Sequence, residues 1–199
     1  MKKFYLLLAL CFCVSHLIGQ NIKMVTSYSS PNKEISDLLQ FENIDYYGVN
    51  FIGEDISTQD YILIAKEMWN GKLKTVDTLV NTAKYTMRPN EKSDTLKLKV
   101  LAKKTFEPKL KLSFKFPGMV LTRKFDAIQS DNYSLRDIGV KEQISFNENF
   151  YAFAYILPYE KDGMLFWCAV DDSGKDVESW GSEFGIEHYI IFEMKFLKD

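Results

Sequence analysis

The chain is poor in the two residues that catalytic and metal sites use most: it has two histidines and three cysteines in 199 residues. Most of that small stock lies in the first nineteen residues, which hold Cys11, Cys13 and His16 and no acidic residue. Lys2 and Lys3 precede an apolar run over 4–14, and Leu17, Ile18 and Gly19 come before Gln20 and Asn21. That is the order of a secretory signal peptide. The run is too short to cross a bilayer as a helix, which takes roughly 20 apolar residues, and no later run approaches that length. Leu10 precedes Cys11 and Phe12 precedes Cys13, where a lipidated cysteine would need a small residue, so lipidation is not expected. The expectation is a signal peptide over 1–19 and one domain over 20–199. The product would be periplasmic, outer-membrane-associated or secreted, with no membrane span.

These shortages exclude further classes. Cys168 is the one cysteine beyond residue 19, so an internal disulfide is impossible and a buried small hydrophobe is expected there. His188 is likewise the one remaining histidine, standing between Glu187 and Tyr189 at the head of an apolar stretch. A serine or cysteine triad needs an imidazole base, and zinc takes several His or Cys ligands. No catalytic residue, metal or cofactor is therefore expected, and His188 reads as structural. Without Lys2 and Lys3 there are 23 basic against 27 acidic residues, which does not suit a nucleic-acid partner. Asp171, Asp172, Ser173, Gly174, Lys175 and Asp176 put carboxylates around a glycine, but lack the spacing and terminal glutamate of an EF-hand loop and read as a hairpin turn. Asp45, Glu54, Asp55, Glu67, Glu160 and Glu183 are available to a two-carboxylate glycosidase, yet in so acidic a chain such pairs arise by chance.

What is present is a period of two. Leu96, Leu98 and Val100 alternate with Lys97 and Lys99, and Leu110, Leu112, Phe114 and Phe116 with Lys109, Lys111, Ser113 and Lys115. Both runs predict strands with one face in the core and a lysine face in water. Asn70-Gly71 between the runs 61–69 and 73–80 predicts a two-residue hairpin with positive φ at both turn positions. Further strands are expected over 45–53, 119–125, 143–146, 150–157, 164–170 and 188–197. Residues 84–94 read as a loop, and a single short helix is expected over 32–41. About nine short strands and no repeat or linker give an all-β class, a β-sandwich of immunoglobulin-like or related type.

Two surface features stand out. Between 97 and 124 there are nine basic residues against one acid, Glu107, and Lys97, Lys99, Lys109, Lys111 and Lys115 would share a cationic sheet face if their strands are neighbours. Such a face suits sulfated or uronic glycans or phosphate-bearing surfaces; the plainer reading is a solvated face guarding a sheet edge. Trp69 beside the Asn-Gly turn, Trp180 between Ser179 and Gly181, and Tyr47 are candidates for stacking on sugar rings, while Trp167 reads as core. Asp77-Thr78-Leu79 and Asp94-Thr95-Leu96 resemble the acid-hydroxyl-aliphatic acceptor of Bacteroidetes O-glycosylation.

The Lys-Lys leader ending in Gly-Gln, the run 44–53 and the Tyr61…Trp69-Asn70-Gly71-Lys72 hairpin resemble small secreted Bacteroidetes proteins of a family known only as a domain of unknown function. The resemblance implies a cell-envelope or secreted location. The leading expectation is a non-catalytic binding module for a glycan or an envelope protein. An accessory subunit of an envelope assembly, paired through a sheet edge, comes second, and a carboxylate-driven polysaccharide hydrolase third.

Overall fold

The computed structural model describes residues 21–84, 92–138, 143–167 and 176–198. The signal peptide expected over 1–19, Cys168 and most of the hairpin turn expected over 171–176 lie outside them. The chain is mostly β, in antiparallel sheets, with short helices. One sheet has the order β1 (Lys23–Ser27), β2 (Asp45–Ile52), β5 (Thr95–Lys104), β6 (Lys109–Phe116), β7 (Met119–Asp126). The other runs β4 (Lys72–Asn81), β3 (Asp60–Trp69), β12 (His188–Leu197), β9 (Phe150–Ile156), β8 (Ser134–Asp137). A small separate hairpin joins β10 (Tyr159–Lys161) to β11 (Met164–Phe166). That makes twelve strands among the described residues, against about nine expected. β1, β8 and β10 have five, four and three residues, too few to print a period. Over 143–146 only Ile144 pairs, bridging to Ile22.

Alternation sorts the strands as expected. Leu96, Leu98, Val100, Leu110, Leu112 and Phe114 are buried, and their lysine neighbours turn to water. Rings from the two sheets then meet: Phe114 lies 5.3 Å from Phe192 and 6.4 Å from Phe153, Phe51 lies 5.1 Å from Phe196, and Tyr61 lies 4.8 Å from Phe116. Both lateral seams are closed by polar contacts. On one side the Asp137 carboxylate accepts from Thr26 Oγ1 at 2.9 Å and from the Tyr47 hydroxyl, joining β8 to β1 and β2. On the other, Lys74 meets Asp126 at 3.2 Å and Arg123 meets Asp77 at 3.8 Å, joining β4 to β7.

The β3–β4 hairpin turns at Asn70 (φ 47°) and Gly71 (φ 72°), the two positive φ values expected of this dipeptide. Its tip is docked. Asn70 N–H donates to Glu187 O at 2.7 Å, and Gly71 meets the backbone of Gly181 in α2 (Trp180–Phe184), a helix the periodicity does not reveal. The helix that is expected, α1 (Lys33–Phe41), is capped by Asn32 Oδ1 accepting from Ile35 N–H at 3.1 Å.

A Cβ at Gly181 would stand 2.5 Å from Gly71 Cα, a backbone atom with nowhere to yield. Alanine gains roughly 1 kcal/mol of helix propensity there, but overpacking of this kind costs about 1–3 kcal/mol. Urea unfolding should place Gly181→Ala below the wild type by about 1–2 kcal/mol, while Ser182→Ala, exposed beside it, should unfold as the wild type does. Equal midpoints for all three proteins would mean that the hairpin tip is not docked.

Candidate functional site

The lysine face gathers exposed cations from three adjacent strands. Pairing of β5 with β6 sets Lys99 opposite Lys115 and Lys103 opposite Lys111, and pairing of β6 with β7 sets Lys111 opposite Lys124. Lys97 stands opposite Asn50 of β2. Lys97, Lys99, Lys111, Lys115 and Lys124 are exposed and form no ion pair among the described residues. The lysines that do pair stand at the margin: Lys103 with Glu42 at 3.7 Å, and Lys109 with Asp126. Between the row Lys99–Lys115 and the row Lys103–Lys111–Lys124 runs a neutral row of Tyr46, Leu101, Ser113 and Thr122. Four residues along a strand put the lysine rows roughly 13 Å apart. Like charges directly opposite each other destabilise a sheet.

The aromatic platform expected from the sequence does not form. Tyr47 is fully buried, its ring 5.3 Å from Phe153, and Trp180 is 2% exposed. Trp69 is half-buried, its ring 4.2 Å from the His188 ring between centres and 4.5 Å from the Lys74 ammonium. Alternation decides between the two adjacent tyrosines. Tyr47 points into the core and Tyr46 out, with Lys99 5.6 Å above its ring. Trp167 is half-buried rather than core, its ring facing the Arg136 guanidinium at 5.4 Å.

His188 sits at one end of the core in a polar group contributed by β3, β12 and the segment before β8. Tyr133 Oη accepts from Ile128 N–H at 3.0 Å and shares a hydrogen bond of 2.6 Å with His188 Nδ1. His188 Nε2 lies 3.7 Å from Glu67 Oε1 and makes no hydrogen bond among the described residues. Burial first, and the Lys74 charge second, hold the imidazole pKa down at about 4, so at neutral pH this close approach is not an ion pair. Glu67, itself buried, accepts from Trp69 Nε1 and from Thr75 Oγ1 at 3.2 Å. The imidazole is fully enclosed beneath Trp69 and faces no solvent.

A cleft of about 470 Å³ lies between α1, the start of β2 and β8, with Tyr28, Asp45, Tyr46 and Arg136 in its wall. Burial pushes the Asp45 carboxyl up to about 6, against the opposing pull of the Tyr155 hydroxyl and of Arg136. Asp45 is the one carboxylate lining it among the described residues. Of the other acids weighed above, Glu67 is in the buried His188 group. Asp55 holds Lys92 at 2.9 Å in a turn, and Glu54, Glu160 and Glu183 are exposed on separate elements. Sequence reasoning missed Arg136, whose four-residue strand carries no usable period. Thr78 is exposed on β4, and Thr95 is half-buried at the head of β5. No helix among the described residues is long and apolar enough to cross a membrane. No protein-family model matches the chain, and neither a curated protein nor a solved structure is found to be similar to it.

Because the folded state keeps His188 neutral down to about pH 4 while the unfolded chain takes a proton near 6.5, the unfolded state binds more protons between those values. Stability is therefore lost as pH falls through that window, by roughly 2–3 kcal/mol between pH 7 and 4.5. His188→Gln keeps an acceptor for Tyr133 and takes no proton. Urea unfolding across this range should show the wild type losing that much relative to the variant. Parallel pH profiles would mean that the imidazole is not buried in its neutral form.

Proposed function

We propose that the chain is an exported, non-catalytic binding module of the cell envelope, folded as a β-sandwich of immunoglobulin-like or related type, that holds an acidic polysaccharide on the outer face of β5, β6 and β7. The observation that carries this reading is the strand register: Lys99 against Lys115, Lys103 against Lys111 and Lys111 against Lys124, with no acid between the two rows. Edge protection does not account for the lysines of β5 and β6, because β5 is central in its sheet and β6 is covered on both sides; Lys124 alone lies on the edge strand β7. Intramolecular pairing does not account for Lys97, Lys99, Lys111, Lys115 or Lys124 either. A polyanion laid across the strands would meet a lysine row on each side and the polar row of Tyr46, Ser113 and Thr122 beneath it. The face would recognise the polymer by its charge spacing, and salt would weaken the attraction.

A second reading, pairing with an envelope partner through a sheet edge, is favoured by β4, exposed on both faces from Lys72 to Thr78. Lys72, Lys74 and Asp77 along that strand, and two register shifts against β3, are devices that discourage such pairing.

The two roles of the lysines separate in one variant. Lys99→Glu with Lys111→Glu turns every like-charge pair in the two rows into an opposite-charge pair, so the fold should gain a few tenths of a kcal/mol per pair. The same change should weaken binding to polygalacturonate or a sulfated glycan on the order of a hundredfold at low salt, with wild-type binding falling steeply as salt rises. Unchanged polymer binding in a variant that is folded and more stable would sink the proposal. So would equal wild-type binding to a neutral glucan.

A further inference from the structure

The nine-residue helix α1 is amphipathic in the wrong sense for a helix that serves only its own fold. At 3.6 residues per turn, Ser36, Leu39 and Gln40 fall on one flank and line the cleft, whereas Ile35, Leu38 and Phe41 fall on the other. No residue of the helix is buried, and exposure along the apolar stripe rises from 49% at Ile35 to 61% at Leu38 and 81% at Phe41. The end of α1 reaches the end of β5, where Glu42 meets Lys103 at 3.7 Å. Three residues beyond Lys103 stands Phe106, fully exposed in the β5–β6 turn. That turn is tied down: Thr105 N–H donates to Lys109 O at 2.8 Å, and Thr105 Oγ1 donates to Glu107 O at 3.0 Å. Scattered apolar side chains are ordinary on a surface, but here a helical stripe and a fixed phenylalanine are held in water at one end of one sheet.

The charge beside them selects the partner. Glu42, Asp126 and Asp131 at this end each hold a lysine, namely Lys103, Lys109 and Lys104. Lys111 and Lys124 continue the row from Lys103 without an ion pair among the described residues, and Lys97, Lys99 and Lys115 lie behind them. Two exposed acids oppose these five free cations, Glu34 in the first turn of α1 and Glu107 beside Phe106. Apolar side chains bordered by lysines fit the boundary between the headgroups and acyl chains of an anionic leaflet, where rings enter to a shallow depth and ammonium groups meet the surface charge. A fluid layer also accepts a helix stripe and a turn tip together without matching their shapes. We propose that this end of the fold docks on an anionic lipid bilayer, with Leu38, Phe41 and Phe106 in the interfacial layer and Lys111 and Lys124 over its headgroups. The proposal goes beyond the polymer reading and rests on apolar side chains that take no part in it.

Every described element lies beyond residue 21, so the chain is tested without residues 1–19, whose apolar run would bind lipid by itself. It is mixed with phosphatidylcholine vesicles made with and without phosphatidylglycerol. The expected result is co-sedimentation with the anionic vesicles that falls as salt rises, and much weaker binding to phosphatidylcholine alone. Phe41→Ser with Phe106→Ser, both at exposed positions, should unfold as the wild type does and keep whatever binding to polygalacturonate the wild type shows. Its vesicle affinity should drop about tenfold or more, because two rings no longer leave water. Phe41→Trp and Phe106→Trp should each bind vesicles and show blue-shifted emission, quenched by brominated acyl chains beyond the wild-type signal. Equal vesicle binding by the serine variant and the wild type, or equal binding to the two vesicle types, would overturn the proposal. So would introduced indoles that brominated lipid leaves unquenched, a result that decides alone if the serine variant fails to fold. Wild-type self-association without lipid that the serine variant loses in sedimentation velocity would assign this end to a second copy instead. Polymer binding is read separately, so its absence leaves each of these outcomes as it stands.

Discussion

The fold depends on where its last strand goes. β12 is the final strand in sequence and the middle strand of its sheet, hydrogen-bonded to β3 on one side and to β9 on the other. Its inward rings reach across the core. Phe192 contacts Phe114, Phe125 and Phe153, and Phe196 contacts Phe51, Tyr61 and Phe150. Until β12 arrives, β3–β4 and β8–β9 have no common neighbour in their sheet, and the rings of β2 and β6 lack part of their packing. The segment just before it supplies Gly181 and Glu187, which seat the β3–β4 turn. A topology closed by its C-terminal strand is built from non-local contacts, and such folds form slowly because loop closure must precede the contacts that reward it.

The core that β12 closes is not uniform along its length. Toward Phe196 it is a stack of phenylalanines with Tyr61. Toward His188 it becomes polar: Asp45 bonds Tyr155, Tyr155 stacks near Tyr133 at 5.5 Å, Tyr133 bonds His188, and His188 approaches Glu67. Burial disfavours the charged form of each group, so it moves the acid and the base in opposite directions, Asp45 up to about 6 and His188 down to about 4. The two have opposite effects on stability. Between pH 4 and 6 the folded state holds a proton on Asp45 that the unfolded chain releases, and lacks the proton on His188 that the unfolded chain takes up. Acidification therefore strengthens one end of this polar row while weakening the other.

The parts of the fold legible in the sequence were those in which a single local rule acts without competition. Alternation in 96–100 and 110–116 separated core from lysine face, and Asn70-Gly71 required its turn. The tyrosine pair at 46 and 47 marked one inward and one outward ring, but local pattern does not say which, because that depends on the register with β5. Trp69 and Trp180 looked like exposed loop aromatics because the Asn70-Gly71 turn follows one and Gly181 the other. Yet Gly71 and Gly181 bring two backbones together, and beside that contact Trp180 is buried and Trp69 half-buried. The cleft was invisible for a related reason. Its wall comes from a helix, a strand end and a four-residue edge strand far apart in sequence, each too short or too irregular to announce a neighbour.

The lysine face follows from the core in one respect and departs from it in another. A strand whose even positions are buried must put its odd positions in water, so β5 and β6 had to carry something polar there. Threonine would have met that need with better strand propensity, and alternating acids and bases would have added cross-strand attraction. Lysine is disfavoured in strands, and here it is set against lysine in three places, two of them between the interior strands β5 and β6, where no exposed edge needs guarding. Propensity, pairing and edge protection therefore all argue against the residues that are present. A bound polyanion reverses the sign of the cross-strand term, since each repulsive pair becomes a pair of cations sharing an anion, and the arrangement that strains the isolated sheet becomes the one that holds the ligand.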